Sequence, residues 1–265
     1  PDPKHENLKG RDTVLVIKKA HEGMLWIGPA MGLDKFDPLS ETFTHFVHKN
    51  NDPTSLSNNQ VRAIYEDKER TLWIGTGSPF PGETPDDEGG LNKFNPKTGT
   101  FNRYMHDDKD PHSLVNNKVR AIFEDSRGTF WVGTAGDGLH TMDRTKGTFQ
   151  RYPYDPLHPD KLSRPPLNKN STAFDHISFI TEDALGAIWI GTYASGINRY
   201  DPVTKKVTHY DAKDSASGLI DGSSWATCTS REGILWISNF GNDLYTIDPY
   251  YKKIQHFDLK QSVLA

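Results

Sequence analysis

The sequence predicts an all-β fold, a β-propeller of four-stranded blades, and three observations carry that prediction. The word LWIG or a close variant recurs five times, ending at Gly28, Gly75, Gly133, Gly191 and, as LWIS, at Ser238. Its tryptophans are Trp26, Trp73, Trp131, Trp189 and Trp236, separated by 47, 58, 58 and 47 residues. Each copy holds four short segments rich in β-branched and aromatic residues, and none sustains a 3.6-residue apolar period. A repeat of this length is one supersecondary unit copied, each copy burying its apolar face on the next. Radial repetition of four-stranded sheets is the propeller arrangement. A β-sandwich array is the alternative, but sandwich strands do not normally repeat one Trp word at such a period. Almost no helix is expected.

The five copies occupy residues 13–46, 61–104, 119–152, 177–210 and 224–257, one propeller region spanning 1–265. The first reads VLVIKKA, MLWIG, GLDKFDP and TFTHF. The second reads VRAIYED, TLWIG, GLNKFNP and TFNRY. The third has VRAIFED, TFWVG, GLHTMDR and TFQRY, and the fourth ISFITED, AIWIG, GINRYDP and KVTHY. The fifth is looser, with SWATCTS, ILWIS, DLYTIDP and KIQHF; Ser238 and Asp243 replace glycines, so an altered turn is expected there. Turn formers such as Lys68-Glu69-Arg70 and Asn95-Pro96 with Gly99 separate the segments, as antiparallel hairpins require.

Within LWIG the pleat sends Trp to one face and its Leu and Ile neighbours to the other. A blade held between two others needs apolar groups on both faces, so the ring reads as an inter-blade wedge. The following Gly suits a turn or a close backbone approach. The fourth segment carries a basic or His residue in every copy: His45, Arg103, Arg151, His209 and His256. These read as charge protecting exposed edge strands, with a ligand-binding rim as the sharper alternative.

Net charge −4 and pI about 6.3 exclude the basic surface of a nonspecific nucleic-acid binder. Mean hydropathy of −0.69 and 34% hydrophobic residues fit long polar loops between blades. A single cysteine excludes an internal disulfide framework and any cysteine zinc site. That residue, Cys228, aligns with Tyr65 and Phe123 and is expected to be a buried small hydrophobe. No apolar run is long enough for a membrane-spanning helix, and no metal or cofactor motif occurs.

The repeat, together with the linker phrases DPTSLSNN (52–59) and DPHSLVNN (110–117), resembles the two-component-regulator propeller repeat over nearly the whole chain. The resemblance implies a noncatalytic periplasmic or extracellular sensor region, usually of about seven blades. It implies a glycan or oligosaccharide ligand, no cofactor, and a histidine kinase beyond a membrane helix. The chain begins and ends in linker-like sequence, so it reads as a segment of a larger ring, partnered by further blades or a second copy. A closed five-bladed ring is equally compatible. A lyase-type propeller enzyme and a protein-interaction scaffold are the alternative functions. His112, His158 and His176 could serve an acid/base pair, but they occupy non-equivalent loop positions.

In an up-and-down blade the loops after strands two and four share one face. The linkers 47–60, 105–118, 153–173 and 211–222 and the insertion 78–89 all lie there, so binding is expected on that face. Counting back from each Trp aligns Leu15, Arg62, Arg120, Ser178 and Trp225 near one mouth of the channel, with His176 nearby. Arg62 and Arg120 read either as a clamp for a ligand carboxylate or sulfate, or as ion pairs with Glu66, Glu124 or a neighbouring blade. Trp225 reads as a stacking surface for a sugar. Glu83, Asp86, Asp87 and Glu88 of the insertion read as a solvated acidic loop, with calcium ligation as the alternative.

Overall fold

The computed structural model describes residues 13–29, 31–80, 82–136, 138–166, 175–212, 218–219, 222–239, 243–251 and 253–258. It is all-β, a five-bladed propeller arrangement of four-stranded sheets, with no helix among the described residues. Blade one is β1 (Val14–Lys19), β2 (Leu25–Pro29), β3 (Leu33–Asp37) and β4 (Thr42–Phe46). Blade two is β5 (Val61–Glu66), β6 (Leu72–Thr76), β7 (Gly90–Asn95) and β8 (Thr100–Tyr104). Blade three is β9 (Val119–Glu124), β10 (Phe130–Thr134), β11 (Leu139–Asp143) and β12 (Thr148–Arg151). Blade four is β13 (Ile177–Glu182), β14 (Ile188–Thr192), β15 (Ile197–Asp201) and β16 (Lys206–Tyr210). Blade five is β17 (Ala226–Thr229), β18 (Leu235–Ser238), β19 (Asp243–Asp248) and β20 (Lys253–Asp258). Strands follow sequence order within every sheet, as successive hairpins dictate. The chain forms two compact units, residues 1–122 and 123–265, divided within β9. The terminal linker-like segments 1–12 and 259–265 lie outside the described residues.

The second strand is the buried spine. All five residues of β6, β10 and β14 are buried, and Trp73 and Trp189 are fully inaccessible. In the first unit Trp26 meets Phe94 of the next blade edge-on at 5.1 Å. In the second, Trp131 meets Tyr200 at 6.3 Å. The wedge expectation therefore describes both contacts. The glycine closing the word marks a close approach: a Cβ on Gly75 would stand 2.8 Å from both Cγ1 and O of Val119 in the next inner strand.

The recurring Glu-Asp pair at the end of the first strand has a divided role that the sequence did not reveal. The Asp carboxylate closes the following turn and accepts the Trp indole: Asp67 from Trp73 at 2.7 Å, Asp125 from Trp131 at 3.0 Å, Asp183 from Trp189 at 2.8 Å. The Glu reaches the preceding blade. Glu66 accepts the His21 backbone N–H at 3.0 Å, and Glu182 accepts that of Ser126 at 2.7 Å. One dipeptide thus ties its own hairpin and the inter-blade seam.

Two expectations are corrected. Cys228 is exposed, not buried. Tyr65 and Phe123 at the matching position are only half-buried, so the position lies at the blade surface, where a small side chain stays open. The basic and His positions of the fourth strand are not free edge charges. His45 bonds Asp34 at 2.7 Å, His209 bonds Asn198 at 2.8 Å, and His256 pairs with Asp243 at 2.9 Å. Arg103 donates to the carbonyls of Asp52, Ser55 and Leu56 and to Ser55 Oγ, all within 2.9 Å, and so latches the linker onto the sheet. The altered turn of blade five is closed by side chains: Asn239 Nδ2 donates to Asp243 Oδ2 at 3.0 Å, and the Asp243 N–H donates to Asn239 Oδ1 at 2.8 Å. Residues 240–242 of that turn lie outside the described residues.

The linkers are ordered by their own polar groups. In the first, Asn59 Oδ1 accepts the His48 N–H at 2.7 Å, while the His48 ring donates to Leu56 O at 2.6 Å. The second repeats this with Asn117, His106 and Leu114, each bond 2.7 Å. Leu56 and Leu114 are driven completely into the core.

Candidate functional site

The aligned site position has a structural definition. Register shifts fall between Val14 and Val16, Val61 and Ala63, and Ile177 and Phe179, so Leu15, Arg62 and Ser178 are bulge residues of the inner strand. A bulge re-aims its side chain out of the ladder. Trp225 enters β17 in a comparable way: its N–H donates to Ser238 O at 2.8 Å, while Ala226 is the register partner of Ser238.

In the first unit Arg62 does not reach Glu66. Its Nη2 donates to Glu83 Oε2 at 2.7 Å, Ser78 Oγ at 3.0 Å and Gln60 Oε1 at 3.2 Å. The partner is thus the insertion after β6, not Glu66, which lies at the other end of β5 and bonds His21. Burial lowers the Arg62 pKa, and the Glu83 charge opposes that shift. Arg120 Nη1 donates to the Arg62 carbonyl at 3.3 Å, which places the two arginines in one cluster. Burial, and then the charge on Arg62, bring the Arg120 pKa down to about 10. Glu124 pairs with Arg144 at 2.7 Å, so the ion pair expected from the sequence is taken by a different arginine.

The insertion is held along its length by protein groups. Ser78 N–H donates to Thr84 Oγ1 at 3.0 Å, Asn58 to Glu88 at 2.7 Å, and Asn117 to the Asp86 carbonyl at 3.1 Å. The Lys118 ammonium lies among the carbonyls of Thr84, Pro85 and Glu88. Burial lowers its pKa, against the pull of Asp86, Glu88 and Asp87. Lys118 and Arg62 thus tie the loop to the blade, while Glu83, Asp86 and Asp87 stay exposed to solvent. Among the described residues no group of three His, Cys, Asp or Glu is arranged to hold a metal.

In the second unit the structure brings His176 and Trp225 into one aromatic cluster through Tyr193, which sequence reasoning missed. The His176 ring stacks on Tyr193 at 5.2 Å, and Tyr193 meets Trp225 edge-on at 6.2 Å. His176 is buried, and Tyr193 and Trp225 are half-buried. The available signal was an aromatic directly after GT in copy four, where copies two and three carry Gly77 and Ala135. Beside this cluster Arg164 and Asp175 form a fully buried ion pair at 2.5 Å, and Asp175 also accepts the Ala194 N–H at 3.0 Å. This pair fixes the loop backbone and offers no open surface.

A cleft of about 510 Å³ opens in the first unit at the short-turn end, away from the long loops. Trp26, Leu72 and Phe94 line it, with Lys35, Lys93 and Glu66 among its polar groups.

Residues 55–78 and 113–136 match the family model described as two component regulator propeller. Histidine kinase P4 of Formosa agariphila is 31% identical over 257 residues, covering 81% of this chain and 17% of that protein. The extracellular domain of BT4673 from B. thetaiotaomicron, described as a hybrid two component system, superposes with TM-score 0.69 at 26% identity, over 93% of this chain and 31% of that one. The extracellular domain of BT3049 from the same organism gives TM-score 0.56 at 20% identity, over 91% of this chain and 34% of that one, and shares the fold. The chain spans about a third of the length of these structures and about a sixth of that kinase.

Proposed function

The chain is built from repeats of the two-component regulator propeller family, and from that premise we propose that it is part of the extracellular or periplasmic sensor region of a two-component system. In this reading it binds a glycan noncatalytically on the long-loop face and signals to a histidine kinase. The observation that supports the ligand class is the cluster of Tyr193 and Trp225, two half-buried rings on neighbouring blades beside a buried His176. Half-buried aromatics placed directly beside strand ends offer apolar faces with polar edges, which suits the C–H face of a sugar ring.

Calorimetric titration of the chain with a panel of neutral and acidic oligosaccharides tests the reading. A binder should emerge, and Trp225→Ala should weaken it by about tenfold, the scale of one lost aromatic contact. A panel without a binder, or a binder indifferent to both Trp225→Ala and Tyr193→Ala, would sink it.

A further inference from the structure

We propose that Arg62, with Arg120 beside it, forms a carboxylate-binding site, and that Glu83 of the insertion is an internal occupant which a ligand carboxylate displaces. This deepens the sensor reading by naming the ligand as an acidic sugar of the uronate class.

The site is built. Arg62 stands on a β-bulge, and its side chain is 9% exposed. A guanidinium recognises a carboxylate best through two parallel N–H groups on one edge. Glu83 meets only Nη2, through one oxygen that it also shares with Ser78. The neighbouring Nε of Arg62 is buried with no hydrogen-bond partner. A buried donor without an acceptor is costly, so the present occupant leaves half of the recognition edge unused. A ligand carboxylate lying along the Nε–Nη2 edge would satisfy both donors.

Charge points the same way. The Arg120 guanidinium donates to the Arg62 carbonyl, and the charge on Arg62 works against its protonation. An anion at Arg62 relieves that repulsion. Glu83 supplies such a charge from a side chain that is itself 45% exposed, so it can turn to water when a better-placed carboxylate arrives.

The test is calorimetric titration of D-glucuronate, with D-glucose as the uncharged control, into three proteins: the chain itself, Glu83→Gln, and Glu83→Gln combined with Arg62→Ala. Glu83→Gln keeps the shape of the occupant and removes its charge, so glucuronate should bind it about tenfold more tightly than the parent chain. Arg62→Ala should abolish that binding, and glucose should bind none of the three. Glu83→Ala is the second variant and should behave as Glu83→Gln does. Equal glucuronate affinity in the parent chain and both Glu83 variants, or no glucuronate binding in any of them, overturns the proposal. If a neutral oligosaccharide binds the chain through Trp225 while glucuronate ignores Arg62, the sensor reading stands and this inference falls.

Discussion

Trp189 donates its indole N–H to Asp183, six residues upstream, at 2.8 Å, and both side chains are buried. The other oxygen of Asp183 accepts the N–H groups of Leu185 and Ala187, each at 2.9 Å. One carboxylate thus closes a turn and satisfies the largest ring of its blade.

Asp183→Ala should therefore destabilise the chain by about 2–3 kcal/mol, because a buried indole donor and the turn amides lose their acceptor together. Urea denaturation followed by tryptophan fluorescence measures this. A midpoint shift no larger than that of an exposed control such as Glu232→Ala would show that water replaces the carboxylate.

Trp131→Ala should cost about 3–5 kcal/mol, the usual range for removing a buried aromatic side chain. The ring is 3% exposed and lies between Tyr152 and Tyr200. Thermal melting tests this directly, and an unchanged melting temperature would contradict the wedge role.

Arg103→Lys should release the 52–56 linker while leaving the sheet folded. The guanidinium makes four bonds from two nitrogens, and a single ammonium cannot reproduce that fork. A loss of about 1.5–3 kcal/mol is expected for bonds to a charged donor. Hydrogen exchange should speed up at the linker amides that the latch protects. Unaltered exchange there would mean that His48 and Asn59 hold the linker unaided.

Stability should fall as pH drops from about 6.5 towards 4, with His140 as a principal cause. Burial lowers its pKa from 6.5 to about 4, only partly offset by the bond to Val132 O at 3.2 Å. The folded chain then binds fewer protons than the unfolded chain between those two values. The contribution is complete above the unfolded pKa and is lost as pH falls through this window. His209 is also lowered by burial and acts with the same sign. Denaturation midpoints measured from pH 7 to pH 4 should fall, and His140→Gln should flatten the curve. An identical slope in the variant would assign the effect elsewhere.

The repeat alone determined the five blades, their strand order and the burial of Trp26, Trp73, Trp131 and Trp189, while Trp236 of the looser fifth copy is only half-buried. Those properties follow from local alternation and hairpin chemistry, which each LWIG copy writes in full. It also marked Arg62, Arg120 and Trp225 as equivalent positions, since alignment of copies needs no third dimension. It could not show that Arg62 is a bulge residue turned to Glu83, because a bulge is a register fact about two strands. Nor could it find Tyr193 beside Trp225, or the Arg103 latch on Asp52, Ser55 and Leu56, because these partners lie 32 and about 50 positions apart in the chain. Cys228 failed for the same reason: its residue type favours burial, but exposure is decided by what covers that face of the strand. Pattern fixes which face of each strand is apolar, and only packing decides which polar side chains meet.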